Sequence, residues 1–121
     1  MTICMILDDD EIARLAAAKI VADVGLIPLS MNDSETALRY CQEATPDIII
    51  LDIMMPKVDG LAFLKSLRKL QGGFRSYVIA CTARNDVETV NKMNNAGVND
   101  YVIKPFEPQL LMKKLKDSGM A

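Results

Sequence analysis

The sequence predicts an α/β fold: a single doubly wound (βα)5 domain over residues 1–121, in which five strands form one parallel sheet covered by five helices. Short apolar runs alternate along the chain with longer segments of helical period, which is the pattern of successive βαβ units. The runs are apolar almost throughout, as in strands that helices cover on both faces. Half of the residues are hydrophobic, which is enough for a substantial core.

The strands are predicted from the apolar runs, and the helices from the periodic segments between them. The predicted strands are Ile3 to Leu7, Ile27 to Ser30, Ile48 to Asp52, Tyr77 to Thr82 and Asp100 to Ile103. The first helix should follow Asp10 and end near Gly25, a residue type that commonly terminates helices. Its apolar face at helical spacing consists of Ile12, Leu15, Ala16, Ile20 and Val24.

The second and fourth helices are predicted from their start signals. Asn32 with Glu35, and Asn85 with Glu88, have the spacing of a capping box, in which each residue of the pair bonds the backbone of the other. The fourth helix should end at Ala96-Gly97.

The third and fifth helices are bounded by glycine and proline. The third should run from Gly60 to about Leu70 and break before Gly72-Gly73, and the fifth has Pro108 in its first turn, where proline is tolerated. The apolar positions are Leu61, Leu64 and Leu67 in the third helix and Leu111 and Leu115 in the fifth.

Charge and composition exclude several classes of function. Fourteen basic and sixteen acidic residues leave a net charge of -2 without any basic run, so direct binding to nucleic acid or to a membrane surface is not expected. The first apolar run is short and meets three aspartates, so we expect neither a signal peptide nor a membrane span and infer a cytoplasmic protein. The absence of histidine excludes histidine-based metal sites, Ser-His-Asp chemistry and phosphohistidine on this chain. The widely spaced cysteines are expected to be reduced and buried; they are Cys4, Cys41 and Cys81.

Acidic and polar residues follow the ends of four predicted strands. Asp8 and Asp9 follow the first strand, Asp52 ends the third, Thr82 ends the fourth and Lys104 follows the fifth. Because parallel strands end at the same edge of a sheet, these side chains are expected to meet in one crevice. Two negative charges about 4 Å apart at an effective dielectric of about 20 repel by roughly 4 kcal/mol, so the cluster favours a bound cation.

The donor atoms predict which cation binds. An oxygen-only set favours Mg²⁺, with Mn²⁺ as the alternative, over zinc. Asp9 and Asp52 are predicted as direct ligands, and Asp8 is predicted to act through water. Asp52 is then the predicted nucleophile, which accepts a phosphoryl group as an acyl phosphate. Lys104 would supply positive charge to the phosphoryl oxygens and Thr82 a hydroxyl donor.

Each of these residues also has a structural interpretation when taken alone. Asp8 to Asp10 could cap a helix, and Asp52 could be a loop residue before Pro56. Lys104 could be a solvated lysine and Thr82 an ordinary residue at a strand end. Their joint position at the ends of four strands favours the functional interpretation.

Four stretches carry a resemblance to a known family: Ile6 to Asp10, Ile50 to Pro56 with Asp59-Gly60, Cys81 to Ala83, and Ala96-Gly97 through Tyr101 to Lys104-Pro105-Phe106. In this order and spacing, they make the chain resemble response-regulator receiver domains of the CheY-like type over essentially its whole length.

The resemblance implies a strand order, a modification and a metal ligand that the periodicity does not predict. It implies a flavodoxin-like sheet of order 2-1-3-4-5, and phosphorylation of Asp52 by a sensor histidine kinase or a histidine phosphotransfer protein. It also implies that the backbone carbonyl of Met54 joins Asp9 and Asp52 as a metal ligand. The peptide bond between Lys104 and Pro105 is expected to be cis.

The resemblance further implies a conformational switch. Tyr101 is expected to move inward when Thr82 follows the phosphoryl group. The face of the fourth helix, fifth strand and fifth helix would then contact a downstream protein or an output domain of the same chain, and a homodimer that forms on phosphorylation is a further expectation. The contributing residues would be Val87, Val90, Asn94, Tyr101 and Lys114.

Met54 and Arg84 each lie two residues beyond an expected active-site residue, at positions that the family pattern leaves variable. Both are expected to face the water that attacks the acyl phosphate. We hypothesise that their long side chains shield the phosphoryl group and slow its hydrolysis.

Two other functions fit parts of the sequence. A haloacid-dehalogenase-like Mg²⁺ phosphatase also has an Asp-x-Asp pattern after its first strand, here Asp8 and Asp10. Such an enzyme needs a later acidic pair as well, and in this chain the segment after the fourth strand does not begin with one. A pseudo-receiver, which binds a partner without phosphorylation, typically lacks part of the acidic triad or the lysine, and this chain has all of them.

Overall fold

The structure is a computed structural model that describes residues 2–55 and 60–120. Pro56 and Asp59, which contribute to the resemblance, lie outside the described residues. The five strands are all parallel and form one sheet in the order β2-β1-β3-β4-β5, which confirms the order that the resemblance implied. Their bounds are β1 Ile3–Leu7, β2 Ile27–Met31, β3 Ile48–Asp52, β4 Tyr77–Thr82 and β5 Asp100–Ile103.

In the described part of the chain, five helices alternate with these strands, as the periodicity predicted, and a short 3₁₀ turn at Gly73–Arg75 precedes β4. None of the helices in the described residues is long and apolar enough to cross a membrane. The bounds are α1 Glu11–Asp23, α2 Ser34–Glu43, α3 Gly60–Lys69, α4 Val87–Ala96 and α5 Pro108–Asp117.

The two faces of the sheet form separate cores. Ile48 and Ile50 of β3 pack with α1 and α5 residues on one face, whereas Ile49 and Leu51 pack with α2 and α3 residues on the other. All four side chains are buried, because helices cover both faces and neither side of the central strand meets water. The apolar run therefore places a rigid strand under the site, with Asp52 at its end.

The predicted apolar face of α1 is wrong for its first half. Ile12 and Leu15 are 78% and 64% exposed, Ala16 is exposed as well, and the buried stripe consists of Ala17, Ile20 and Val21. The reason is that α1 has hydrophobic residues on more than one side, since nine of its thirteen residues are hydrophobic, so that periodicity alone does not select one stripe. The position of the helix above the sheet decides which stripe is buried.

The predicted capping boxes of α2 and α4 are displaced by one residue. The N-caps are Asp33 and Asp86 instead of Asn32 and Asn85, and each carboxylate accepts backbone N–H bonds from the first turn of its helix. A carboxylate also interacts favourably with the positive end of the helix dipole, which an amide does not. The predicted stop at Gly97 is confirmed, because this residue caps α4 with φ +98°.

Candidate functional site

The candidate site lies where β1 and β3 end at the carboxyl edge of the sheet. β1 and β3 are adjacent, so Asp8, which follows β1, lies beside Asp52, which ends β3. One carboxylate oxygen from each of Asp8, Asp9 and Asp52 lies within 4.8 Å of the other two. Asp8 and Asp52 are buried and Asp9 is exposed, so the cluster opens to solvent on one side. The structure thus brings together the three acids that strand order predicted.

Lys104 reaches the same cluster from the end of β5. Its Nζ lies 3.1 Å from Oδ2 of Asp8 and 3.6 Å from Oδ2 of Asp52. The backbone of Lys104 is fixed by an N–H bond of 2.7 Å to the carbonyl oxygen of Thr82, and the peptide bond to Pro105 is cis, as the resemblance implied. The side chain is only 31% exposed, so its charge acts within the site.

The electrostatics of the cluster favour a cation beside Asp52. Burial is the largest effect on the Asp52 carboxyl and raises its pKa, and the carboxylate of Asp8 raises it further. The backbone amide of Met54 and the charge of Lys104 lower this pKa, but it stays above its ordinary value. Burial lowers the pKa of Lys104, but the charges of Asp52 and Asp8 outweigh burial and raise it. The charges of Asp8 and Asp52 therefore favour the ammonium form of Lys104, and burial is the main reason that the pKa of Asp52 is raised.

The three consecutive aspartates have different roles. Asp10 is the N-cap of α1, with Oδ1 accepting the N–H of Ile12 at 3.1 Å. Oδ1 of Asp8 accepts the N–H of Asp10 at 2.9 Å, which aims the other oxygen of Asp8 at Lys104. The structural interpretation, capping, thus holds for Asp10, whereas Asp8 and Asp9 lie in the acidic cluster with Asp52.

Thr82 ends β4 and is fully buried beside the site. Asp52 pairs with Cys81 in the sheet register, so Thr82 lies one residue beyond the level of the acid. Its hydroxyl oxygen accepts the N–H of Arg84 at 3.0 Å, which leaves the hydroxyl hydrogen free to point elsewhere. Burial raises the pKa of the Cys81 thiol to about 12, so this neighbour of the site stays a neutral thiol. All three cysteines are unpaired and buried, as predicted.

Met54 and Arg84 lie on the exposed side of the site. Met54 is 51% exposed, and its N–H donates a bond of 3.0 Å to Oδ1 of Asp52. The guanidinium of Arg84 pairs with the α4 N-cap Asp86, with Nε 3.1 Å from Oδ1. The backbone of Met54 thus contacts Asp52 while its side chain is half exposed, and the side chain of Arg84 is held by the N-cap of α4.

Tyr101 and the residues of the expected output face have mixed environments. Tyr101 pairs with Ala80 in the sheet register and is half-buried against a small cluster that includes Met93. Val87 is 77% exposed, and Lys114 is held by an ion pair of 2.9 Å with Asp100. Of the remaining two expected contributors, Val90 is half-buried and Asn94 is exposed.

Two residues that support the site were not assigned a role from the sequence. The guanidinium of Arg14 donates a bond of 2.8 Å to the backbone carbonyl of Asp8 and holds the end of β1. A methyl group on Gly60 would lie 2.6 Å from the carbonyl oxygen of Asp52 and 2.8 Å from Cα of Ile53, so only glycine lets α3 start against the backbone after the acid. The Asp59-Gly60 motif could have indicated the role of Gly60, whereas no sequence pattern pointed to Arg14.

Comparison with known proteins identifies the chain as a receiver domain. The family model described as the response regulator receiver domain matches residues 4–116. The chain is 34% identical over 116 residues to the heme response regulator HssR of Staphylococcus saprophyticus, covering 96% of this chain and 50% of that protein. The crystal structure of the chemotaxis protein CheY4 of Vibrio cholerae superposes with a TM-score of 0.89 at 27% identity and covers 98% of both chains. The BeF3-activated receiver domain of DrrB, a Thermotoga maritima protein, gives a TM-score of 0.87 at 25% identity over 100% of this chain and 99% of that one.

A parallel sheet of order 2-1-3-4-5 with an acidic cluster and a lysine at its carboxyl edge defines a receiver-type signalling domain. The chain belongs to the response regulator receiver domain family of two-component signalling. The chain spans less than half the length of several curated relatives that it matches: the match covers 22% to 49% of those proteins.

Proposed function

We propose that this receiver is a phospho-acceptor in which Asp52 takes a phosphoryl group from a phosphohistidine of a sensor histidine kinase or histidine phosphotransfer protein. The observation that carries the proposal is the position of the Lys104 ammonium, 3.1 Å from Asp8 and 3.6 Å from Asp52, in a site where three acids approach within 4.8 Å. A nucleophilic carboxylate, a fixed cation and a metal-binding set of acids are the groups that phosphoryl transfer requires.

The donor set fits Mg²⁺, and Mn²⁺ as the alternative, because it offers oxygen atoms in an open cluster of carboxylates. Asp9 and Asp52 would bind the ion directly together with the carbonyl of Met54, and Asp8 would act through water. The ion, when bound, neutralises negative charge on the acids and on the phosphoryl oxygens. Asp9 is exposed, so its carboxylate has room to accept a hydrated ion.

The transfer step uses the side chains around Asp52. An oxygen of the Asp52 carboxylate attacks phosphorus, the P–N bond to the donor histidine breaks, and its electron pair returns to the imidazole nitrogen. Lys104 exchanges its pairing with Oδ2 of Asp52 for the incoming phosphoryl oxygens, and its second partner, Asp8, keeps it oriented. Positive charge already in place stabilises the transition state without reorganisation of solvent.

The signal then leaves through Thr82 and Tyr101. The hydroxyl of Thr82 donates to a phosphoryl oxygen, and the space that it leaves lets half-buried Tyr101 turn inward. The α4-β5-α5 face changes shape as a result and binds a downstream protein, an output domain of the same chain, or a second phosphorylated copy. The curated relatives are longer than this chain, and one is named a probable transcriptional regulator, which supports an output function of this kind.

The partner kinase is proposed to dock beside α1. A donor histidine must come within bonding distance of Asp52, so the kinase has to cover the surface around the entrance to the site. Ile12 and Leu15 of α1 are 78% and 64% exposed there, and they offer the apolar contact that a protein interface uses at its centre.

Intact-mass measurement after incubation with Mg²⁺ and acetyl phosphate tests the proposal. The wild type should gain one phosphate, and Asp52→Ala should gain none. Asp23→Ala, at the exposed end of α1, is the matched control and should be phosphorylated like the wild type. A wild type that stays unmodified and also fails to respond to BeF3, the reagent of the activated DrrB receiver domain, would establish a pseudo-receiver instead.

The phosphatase alternative is disfavoured by the position of Asp10. That chemistry needs Asp8 and Asp10 together in one metal site, whereas Asp10 caps α1 and the acidic cluster of the described residues consists of Asp8, Asp9 and Asp52. Turnover of a small phosphomonoester such as p-nitrophenyl phosphate, at a rate that Asp10→Asn abolishes, would reverse this conclusion.

A further inference from the structure

An apolar cavity of about 490 Å³ lies next to the acidic cluster, between α1 and the segment that joins β5 to α5. Its walls include Ala13, Ala16 and Ala17 of α1, Ile6 and Ile50 of the sheet, and Phe106 after β5. The volume falls within the range of about 300–1000 Å³ that is usual for small-molecule pockets. Asp8, Asp52 and Lys104 of the candidate site also line this cavity.

The cavity exists because α1 faces the β5-α5 segment with alanines. A methyl side chain at Ala13, Ala16 or Ala17 is too short to fill the space towards Phe106, which packs only partly against the core. An apolar lining binds water poorly, so an apolar group that enters gains the free energy of leaving water without displacing well-bound solvent. The body of a suitable ligand is therefore hydrophobic.

Part of the cavity lining is charged. Asp8, Asp10 and Asp52 contribute three carboxylates there and Lys104 one ammonium, so the ionised groups sum to -2. The ammonium is already shared between Asp8 and Asp52, which leaves no free cation among these four groups for an anionic ligand. A positively charged head group would pair with the acids, and a negatively charged one would be repelled.

We propose that this cavity binds small amphiphilic amines, with an aromatic or aliphatic body between α1 and Phe106 and a cationic head at Asp8, Asp10 and Asp52. The proposal rests on cavity shape and charge and does not depend on phosphorylation of the chain. A bound amine would occupy the region in front of Asp52, so binding would compete with any chemistry at that carboxylate.

Methyl NMR of the full chain with labelled alanine and isoleucine tests the proposal, with 2-phenylethylamine as the probe. Titration should shift the methyl signals of Ala17, Ile20 and Ile50, which line the cavity, and leave Ile49 on the opposite face of the sheet unchanged. The same experiment with 3-phenylpropanoate should show binding about tenfold weaker, equivalent to about 1.4 kcal/mol. Absence of shifts at the lining residues, or tighter binding of the carboxylate, overturns the proposal.

Cavity-filling variants supply the second test. Ala17→Leu and Ala16→Leu should each weaken binding of 2-phenylethylamine about tenfold by occupying its site. Ala22→Leu places the same side chain on an exposed position of α1 that is not among the lining residues, and should bind like the wild type. Ala16 is itself exposed, so this variant gives a result even where Ala17→Leu fails to fold. Equal affinity in the wild type and Ala16→Leu, with shifts that remain at Ile50, contradicts the assignment.

Discussion

The ammonium of Lys104 lies 3.1 Å from the carboxylate of Asp8, and it is shared with Asp52 at 3.6 Å. Residues at the ends of the first and last strands are thereby joined across the sheet edge. Because Asp8 holds the lysine, the lysine can release Asp52 without becoming solvated. This arrangement predicts that Lys104 acts on the chemistry of Asp52 and is more than a structural counter-ion.

Lys104→Ala should slow phosphorylation by acetyl phosphate by about 10²-fold, because a preorganised charge at the transferring phosphoryl group is lost. Time-resolved intact-mass measurement in Mg²⁺ gives the rate. Lys92→Ala removes an exposed lysine of α4 whose partner is Glu88, and serves as the control with an unchanged rate. Equal rates in wild type and Lys104→Ala would contradict the role.

Asp52→Asn should make the metal-free protein more stable at neutral pH, by on the order of 1 kcal/mol, because it removes a buried charge that faces Asp8. The pKa of Asp52 is raised in the folded state, so its contribution to stability is fully present below the unfolded pKa and is lost as the pH rises through the folded pKa. Urea unfolding of both proteins should therefore differ at pH 7 and converge in acid. If the stability difference between the wild type and Asp52→Asn grew as the pH fell, the pKa of Asp52 would be lowered by folding, not raised.

Arg84→Ala and Met54→Asn should each speed hydrolysis of the acyl phosphate, by about tenfold or about 1.4 kcal/mol of barrier, if their side chains shield it from water. Loss of phosphate from the purified phosphoprotein, followed by intact mass, measures the rate. Arg39→Ala, on the exposed surface of α2, is the control. Unchanged rates in both variants would reject the hypothesis.

Asp86→Ala should lower the urea midpoint at pH 7, whereas Asn85→Ala should leave it unchanged, because Asp86 is the N-cap of α4. The hydroxyl of Thr89 and the charge of Arg84 are among the groups that hold the pKa of Asp86 below its ordinary value. The stabilisation is therefore present above the unfolded pKa and lost as the pH falls through the folded pKa, so the deficit of Asp86→Ala should shrink in acid. If Asn85→Ala lowered the urea midpoint more than Asp86→Ala, Asn85 would be the N-cap of α4, as the sequence predicted.

Arg68→Lys should destabilise the fold by about 2 kcal/mol, because an ammonium cannot replace the planar guanidinium. The guanidinium donates to the carbonyl oxygens of Gly73 and Ser76, each at 2.8 Å, and to that of Gly97 at 2.6 Å, and so ties α3 to the turns before β4 and after α4. Urea unfolding measures the loss. Arg39→Lys on exposed α2 should cost nothing measurable, and a similar loss in both would refute the explanation.

The elements and the site were predictable for different reasons. Buried strands such as β3 are apolar almost throughout, so local sequence identifies them, and a polar residue at or just after the end of a strand marks the edge of the sheet. Asp52, Thr82 and Lys104 follow from that rule alone. The placement of α1 does not, because a helix with hydrophobic residues on more than one side offers several stripes and the buried one depends on the neighbouring sheet and α5.

The sequence by itself determined the alternation of strands and helices and the chemistry available at the strand ends, because hydrophobic period and residue type are local properties. Only the tertiary structure decided that Asp10 caps α1 while Asp8 pairs with Lys104, and that alanines of α1 leave a cavity beside Phe106. These outcomes depend on distances between segments far apart in the chain. Such distances are fixed by packing, which no local pattern records.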